Sequence, residues 1–79
     1  MPTVLVINGY RFSFYSNESN ELPHIHIGKS GASAKYWLVP DCSEVYSYGF
    51  TIREQRDIKD LVFENKELLI QKWNEYFGK

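Results

Sequence analysis

Apolar and polar residues alternate through the first half of the chain, and the pattern changes to helical spacing near residue 51. Thr3–Ile7 is an apolar, β-branched run followed by Asn8-Gly9. Asn-Gly between two such runs predicts a two-residue hairpin, because both central positions of a type I′ turn need positive φ. Residues 10–15 alternate next, with Tyr10, Phe12 and Phe14 on one side and Arg11, Ser13 and Tyr15 on the other. Residues 16–23 form a polar loop ended by Pro23. Residues 24–27 predict a third strand, Gly28-Lys29-Ser30-Gly31 a turn, and residues 32–39 a fourth strand. In that fourth strand Ala34, Tyr36 and Leu38 oppose Ser33, Lys35 and Trp37. Residues 42–50 carry Tyr46, Tyr48 and Phe50 and read as a packed loop or a short irregular strand. Thr51-Ile52-Arg53-Glu54 has the capping-box pattern that opens a helix. Ile58, Leu61 and Val62 continue it at helical spacing. Asn65 then separates it from a second helix carrying Leu68, Leu69, Trp73, Tyr76 and Phe77, which Gly78 closes. One long helix with Asn65 on its surface is the alternative, and two helices is the reading adopted.

Strands first and helices last predict an α+β fold. The simplest form is a small antiparallel sheet of about four strands, a meander, with the C-terminal helices packed on one face and residues 1–79 as a single domain. Helices need an apolar partner surface. Phe12, Phe14, Ile25, Ile27, Ala34, Tyr36 and Leu38 supply it by period-two alternation. The opposite face then collects Arg11, Ser13, Tyr15, His24, His26, Ser33, Lys35 and Trp37, on a surface expected to be clear of the helices.

Seventy-nine residues lie near the lower limit for a core without staples, but five Phe, six Tyr and two Trp enlarge what can be buried. The same aromatic content suits an interface with a second copy, a homodimer. The formal charge of −1 excludes the broad basic character of a non-specific nucleic-acid binder. A local patch survives this test, since Arg11, Lys29 and Lys35 outnumber Glu18 and Glu21 in the first half. The single cysteine, Cys42, has no internal disulfide partner, which points to a reducing compartment. The early apolar run Val4-Leu5-Val6-Ile7 is too short for a signal peptide or a membrane span. The expectation is a cytoplasmic protein without membrane contact.

Candidate chemistry centres on His24 and His26, the two histidines of the chain. Two residues apart on a strand, their imidazoles project from one face. A metal site would need further ligands, and Glu18, Glu21, Asp41 and Cys42 lack a diagnostic spacing. No metal or other cofactor is therefore assigned. An acid/base pair of His24 and His26, with Lys35 or Arg11 stabilising an anionic transition state, is the logic of a small metal-independent ribonuclease. A binding surface built from Arg11, Tyr15, Glu18, Lys35 and Trp37 would take single-stranded RNA, a protein partner or a second copy. In a structural role, the histidines would satisfy loop backbone or the carboxylates of Glu18 and Glu21.

Several motifs carry a resemblance: Met1-Pro2-Thr3-Val4-Leu5, Gly9-Tyr10-Arg11-Phe12, Phe14-Tyr15-Ser16-Asn17-Glu18, Pro23-His24-Ile25-His26-Ile27 and Trp73-Asn74-Glu75-Tyr76-Phe77. Together they resemble the domain of unknown function 4160 family, small stand-alone proteins mainly of bacteria, and the likeness runs over nearly the whole chain. The resemblance implies no activity. It emphasises Glu18, Pro23, His24 and His26. It also implies a protein partner, because members are commonly encoded beside a second small gene, often of the domain of unknown function 2442 family. Such pairs look like toxin–antitoxin modules. The stretch Cys42-Ser43-Glu44 departs from typical members. The resulting expectation is a protein-interaction member of such a gene pair, with the ribonuclease as the alternative.

Overall fold

The computed structural model describes residues 3–14 and 21–78. Five strands and two helices follow one another: β1 (Thr3–Ile7), β2 (Tyr10–Ser13), β3 (His24–Lys29), β4 (Ala32–Trp37), β5 (Ser43–Tyr48), α1 (Ile52–Glu64) and α2 (Lys66–Phe77). The strands form one antiparallel sheet in the order β1-β2-β3-β4-β5. The fold is an α+β meander with C-terminal helices, one strand larger than the sequence pattern predicted.

The added strand is β5, and its period is hidden by a bulge. Ser33, Ala34 and Lys35 pair with Tyr48, Ser47 and Tyr46, whereas Tyr36 and Trp37 pair with Glu44 and Ser43, which leaves Val45 as the extra residue. The alternation inverts at that point, so no clean period of two survives in the sequence. A similar shift in β1 leaves Val4 between the pairs Thr3–Ser13 and Leu5–Phe12.

Both hairpins that flank β2 and β3 follow turn chemistry. Asn8 and Gly9 take φ of 52° and 83°, and Ser30 and Gly31 take 50° and 84°, the signature of two-residue turns that match strand twist. β3 therefore runs on to Lys29, two residues past the predicted end, and the turn narrows to Ser30-Gly31.

Thr51 caps α1 as its sequence indicates. Its Oγ1 accepts from Glu54 N at 3.1 Å, and Glu54 Oε1 accepts from Thr51 N at 2.9 Å. Asn65 ends α1 and begins α2, donating from both its backbone N and Nδ2 to Leu61 O at 3.0 and 2.8 Å. Two helices is the correct reading. The predicted inner face is buried in full: Phe12, Phe14, Ile25, Ile27, Ala34, Tyr36 and Leu38 meet Ile58 and Val62 of α1 and Leu69 and Trp73 of α2. Tyr10 and Phe50 close one end of this core, with ring centroids 6.0 Å apart. Among the described residues no helix is long and apolar enough to cross a membrane.

Candidate functional site

Strand register builds the second face of the sheet in three rows. Ser13, His26, Lys35 and Tyr46 lie side by side across β2 to β5. Arg11, Gly28, Ser33 and Tyr48 form the next row, and His24, Trp37 and Ser43 a third. The sequence pattern placed Arg11, Ser13, His24, His26, Ser33, Lys35 and Trp37 together, and the register does bring them to one face. Tyr15 and Glu18 lie outside the described residues.

The two histidines meet each other but differ in surroundings. Their ring centroids are 5.2 Å apart and nearly perpendicular. His24 is 0% exposed, and its Nδ1 lies 2.8 Å from Leu22 O. A carbonyl only accepts, so this bond places the proton on Nδ1. Trp37 stands 5.6 Å from the same ring, and Glu21 Oε1 is 4.0 Å from Nδ1. Trp73 of α2 lies on the other side, 4.9 Å from it. The expectation of a face clear of the helices fails at His24. Pairing of β2 with β3 ends at Ser13–His26, so the start of β3 extends past β2. Trp73 touches both Phe14 and His24 there, reaching across from the core side.

Lys35 links the cluster to the preceding loop. Its Nζ is 3.3 Å from Glu21 Oε1 and 4.9 Å from the centre of the Trp37 ring, so one ammonium joins an ion pair and a cation–π contact. The side chain is only 14% exposed, which makes Lys35 a link between Glu21 and Trp37 more than a free surface charge.

Beside this buried cluster the face opens into a groove of about 300 Å³, whose lining includes Arg11, Ser13, His26, Gly28, Ser33 and Tyr46. The depression follows from side-chain size. Gly28, Ser13 and Ser33 are small residues in two adjacent rows, next to the longer Arg11 and the imidazole of His26, which is 7% exposed. Among the described residues no Asp or Glu lines the groove. Gly28 and Tyr46 are site residues that the sequence reading passed over, one as part of a turn and the other as part of an irregular segment. The alternation of Tyr46 with Tyr48 was the available signal for the second. Among the described residues no three His, Cys, Asp or Glu side chains gather as metal ligands.

A family model described as a domain of unknown function (DUF4160) matches residues 9–74. That span begins at the first hairpin turn and ends one residue past Trp73, so it contains every strand of the face except β1. No curated protein and no solved structure matches the chain.

Proposed function

The chain belongs to this family, and from that premise we propose that it is a protein-interaction module, one member of a toxin–antitoxin-like gene pair, which docks its partner on the groove-bearing face of the sheet. The observation that carries this reading is the groove itself. It lies beside exposed Arg11, Tyr46 and Tyr48, residue types that anchor protein interfaces. The expected source of the partner is the second small gene that commonly neighbours those of family members.

The ribonuclease alternative draws less support from the geometry. A general base must come within hydrogen-bond reach of the proton it removes, directly or through one water. His24 has no exposed surface and is packed between Trp37 and Trp73. Only His26 borders the groove, and one imidazole does not make the two-histidine relay.

Co-expression with the product of the adjacent small gene tests the proposal. A stable complex is expected from the wild type and is lost in Tyr46→Glu on the groove face. Phe63→Glu, at an exposed position of α1, leaves it intact. Failure to co-purify, or loss through the Phe63 variant alone, overturns the reading. RNA cleavage by the purified chain that disappears in His26→Ala would replace it with the ribonuclease.

A further inference from the structure

Gly28 occupies the middle of the second row, and nothing in the fold requires a glycine there. Its φ lies outside the left-handed range, and among the described residues a Cβ built on it would meet only the Ala32 carbonyl oxygen, at an ordinary 3.8 Å. It is paired on both sides, to Arg11 and to Ser33. Glycine inside a strand forfeits packing and backbone order, and it marks a bulge, a bend or a close approach by a ligand or another chain. The register around Gly28 is regular on both sides, which leaves the close approach. The space above Gly28 is the groove floor.

Among the described residues that line the groove, the charged pair Arg11 and Lys29 is positive. Arg11 is exposed, and among the described residues it has no carboxylate partner. Ser13 and Ser33 add hydroxyl donors, Tyr46 a phenol and His26 an imidazole. Glu21, an acid beside this face, is engaged by Lys35. A guanidinium with hydroxyls beside it, in a depression that no acid among the described residues lines, matches a carboxylate.

Resting on the interaction reading above, we propose that the groove is a socket for a carboxylate side chain on an acidic segment of the protein partner. Arg11 holds the charge, and Gly28 keeps the floor low enough to admit it. A side chain at position 28 would stand where the carboxylate enters.

Amide chemical shifts of the labelled chain, titrated with a short end-capped peptide of Asp and Glu, read the site directly. Its Asn/Gln counterpart and inorganic phosphate serve as comparisons. Saturable shifts at Arg11, Gly28 and Ser33 are expected from the acidic peptide alone. Arg11→Gln weakens that binding by about tenfold, the loss of one charge-assisted contact. Gly28→Val abolishes it while the melting temperature holds or rises, and Gly28→Ala, with a single added methyl, weakens it on an unchanged fold. Equal shifts from the amide peptide, shifts from phosphate only, or none at all overturn the socket. So does wild-type affinity in Gly28→Ala and Arg11→Gln. If the adjacent gene product co-purifies equally with wild type and both variants, the interaction module stands and the socket falls. If nothing co-purifies, the peptide titration still decides the socket.

Discussion

The indole of Trp73 lies 4.9 Å from the imidazole of His24 and meets the ring of Phe14 edge-on at 5.3 Å, centroid to centroid. A helix residue thereby joins the hydrophobic core to the histidine cluster, at the point where β2 has ended and β3 continues. The Phe77 ring packs against it, tilted by 52° at a centroid distance of 4.2 Å. One large side chain seals the first histidine and anchors α2 to the sheet.

Trp73→Ala should therefore be among the most damaging substitutions in the chain. Removing a fully buried aromatic costs about 3–5 kcal/mol, comparable to the whole stability of a small domain. Urea unfolding should show Trp73→Ala largely unfolded in dilute buffer and Trp73→Phe folded with a lowered midpoint. Equal midpoints for wild type and the Ala variant would show that α2 is not held here.

Thr51→Ala removes a different kind of support. It deletes the acceptor for Glu54 N while leaving the apolar face of α1 unchanged. The expected loss is about 1 kcal/mol, the usual range for such a cap. Glu54→Ala should lose less, since the Thr51 hydroxyl still caps the turn. Chemical denaturation of the two variants measures the ranking, and the reverse order would mean that the carboxylate dominates the box.

Local patterns in the sequence were sufficient for most of the fold. Asn8-Gly9, the alternation of residues 10–14 and 32–38, the capping box and Asn65 each have a short-range physical cause. Each also matches the structure. β5 was illegible because Val45 shifts its period halfway along, and because an edge strand needs only one neighbour and can stay exposed. The site was legible as a face but not as a set of contacts. Alternation places His24 and His26 together, yet it cannot say that Trp73 reaches around the end of β2. Nor does a glycine next to a turn distinguish a strand interior from a loop until the register pairs Gly28 with Arg11 and Ser33.

Cys42 gives a test of packing at the far side of the sheet. Its Sγ lies 4.0 Å from Val62 O, and burial pushes the thiol up from its ordinary value, Lys66 pulling it back and Asp41 adding to the rise. Less thiolate is present near neutral pH, so alkylation by iodoacetamide should be slow there and accelerate with an inflection above that of a free thiol. Lys66→Gln should move the inflection higher and Asp41→Asn lower. An inflection at the free-thiol position would show the sulfur open to water.

Tyr36 contributes to the loss of stability at alkaline pH. Burial first, then the charge of Glu44 and the hydrogen bond its hydroxyl donates to Glu44 Oε1 at 3.4 Å, push the phenol from 10.0 up to about 12. The folded state keeps this proton more tightly than the unfolded chain. The associated stability is thus fully present below pH 10 and is lost as pH rises through about 12. Tyr10 is shifted in the same direction by burial and by Glu54 and Asp57, so it steepens the same decline. Urea midpoints should be flat up to pH 10 as far as these two phenols are concerned and fall above it. Tyr36→Phe removes one titrating group and should make the fall shallower. Glu44→Gln should lower the Tyr36 titration, followed by carbon NMR at the phenol, but leave it above 10, because burial is the larger cause. A Tyr36 that titrates at its ordinary value in the folded protein, or a Phe variant with an unchanged alkaline limb, would remove this residue from the account.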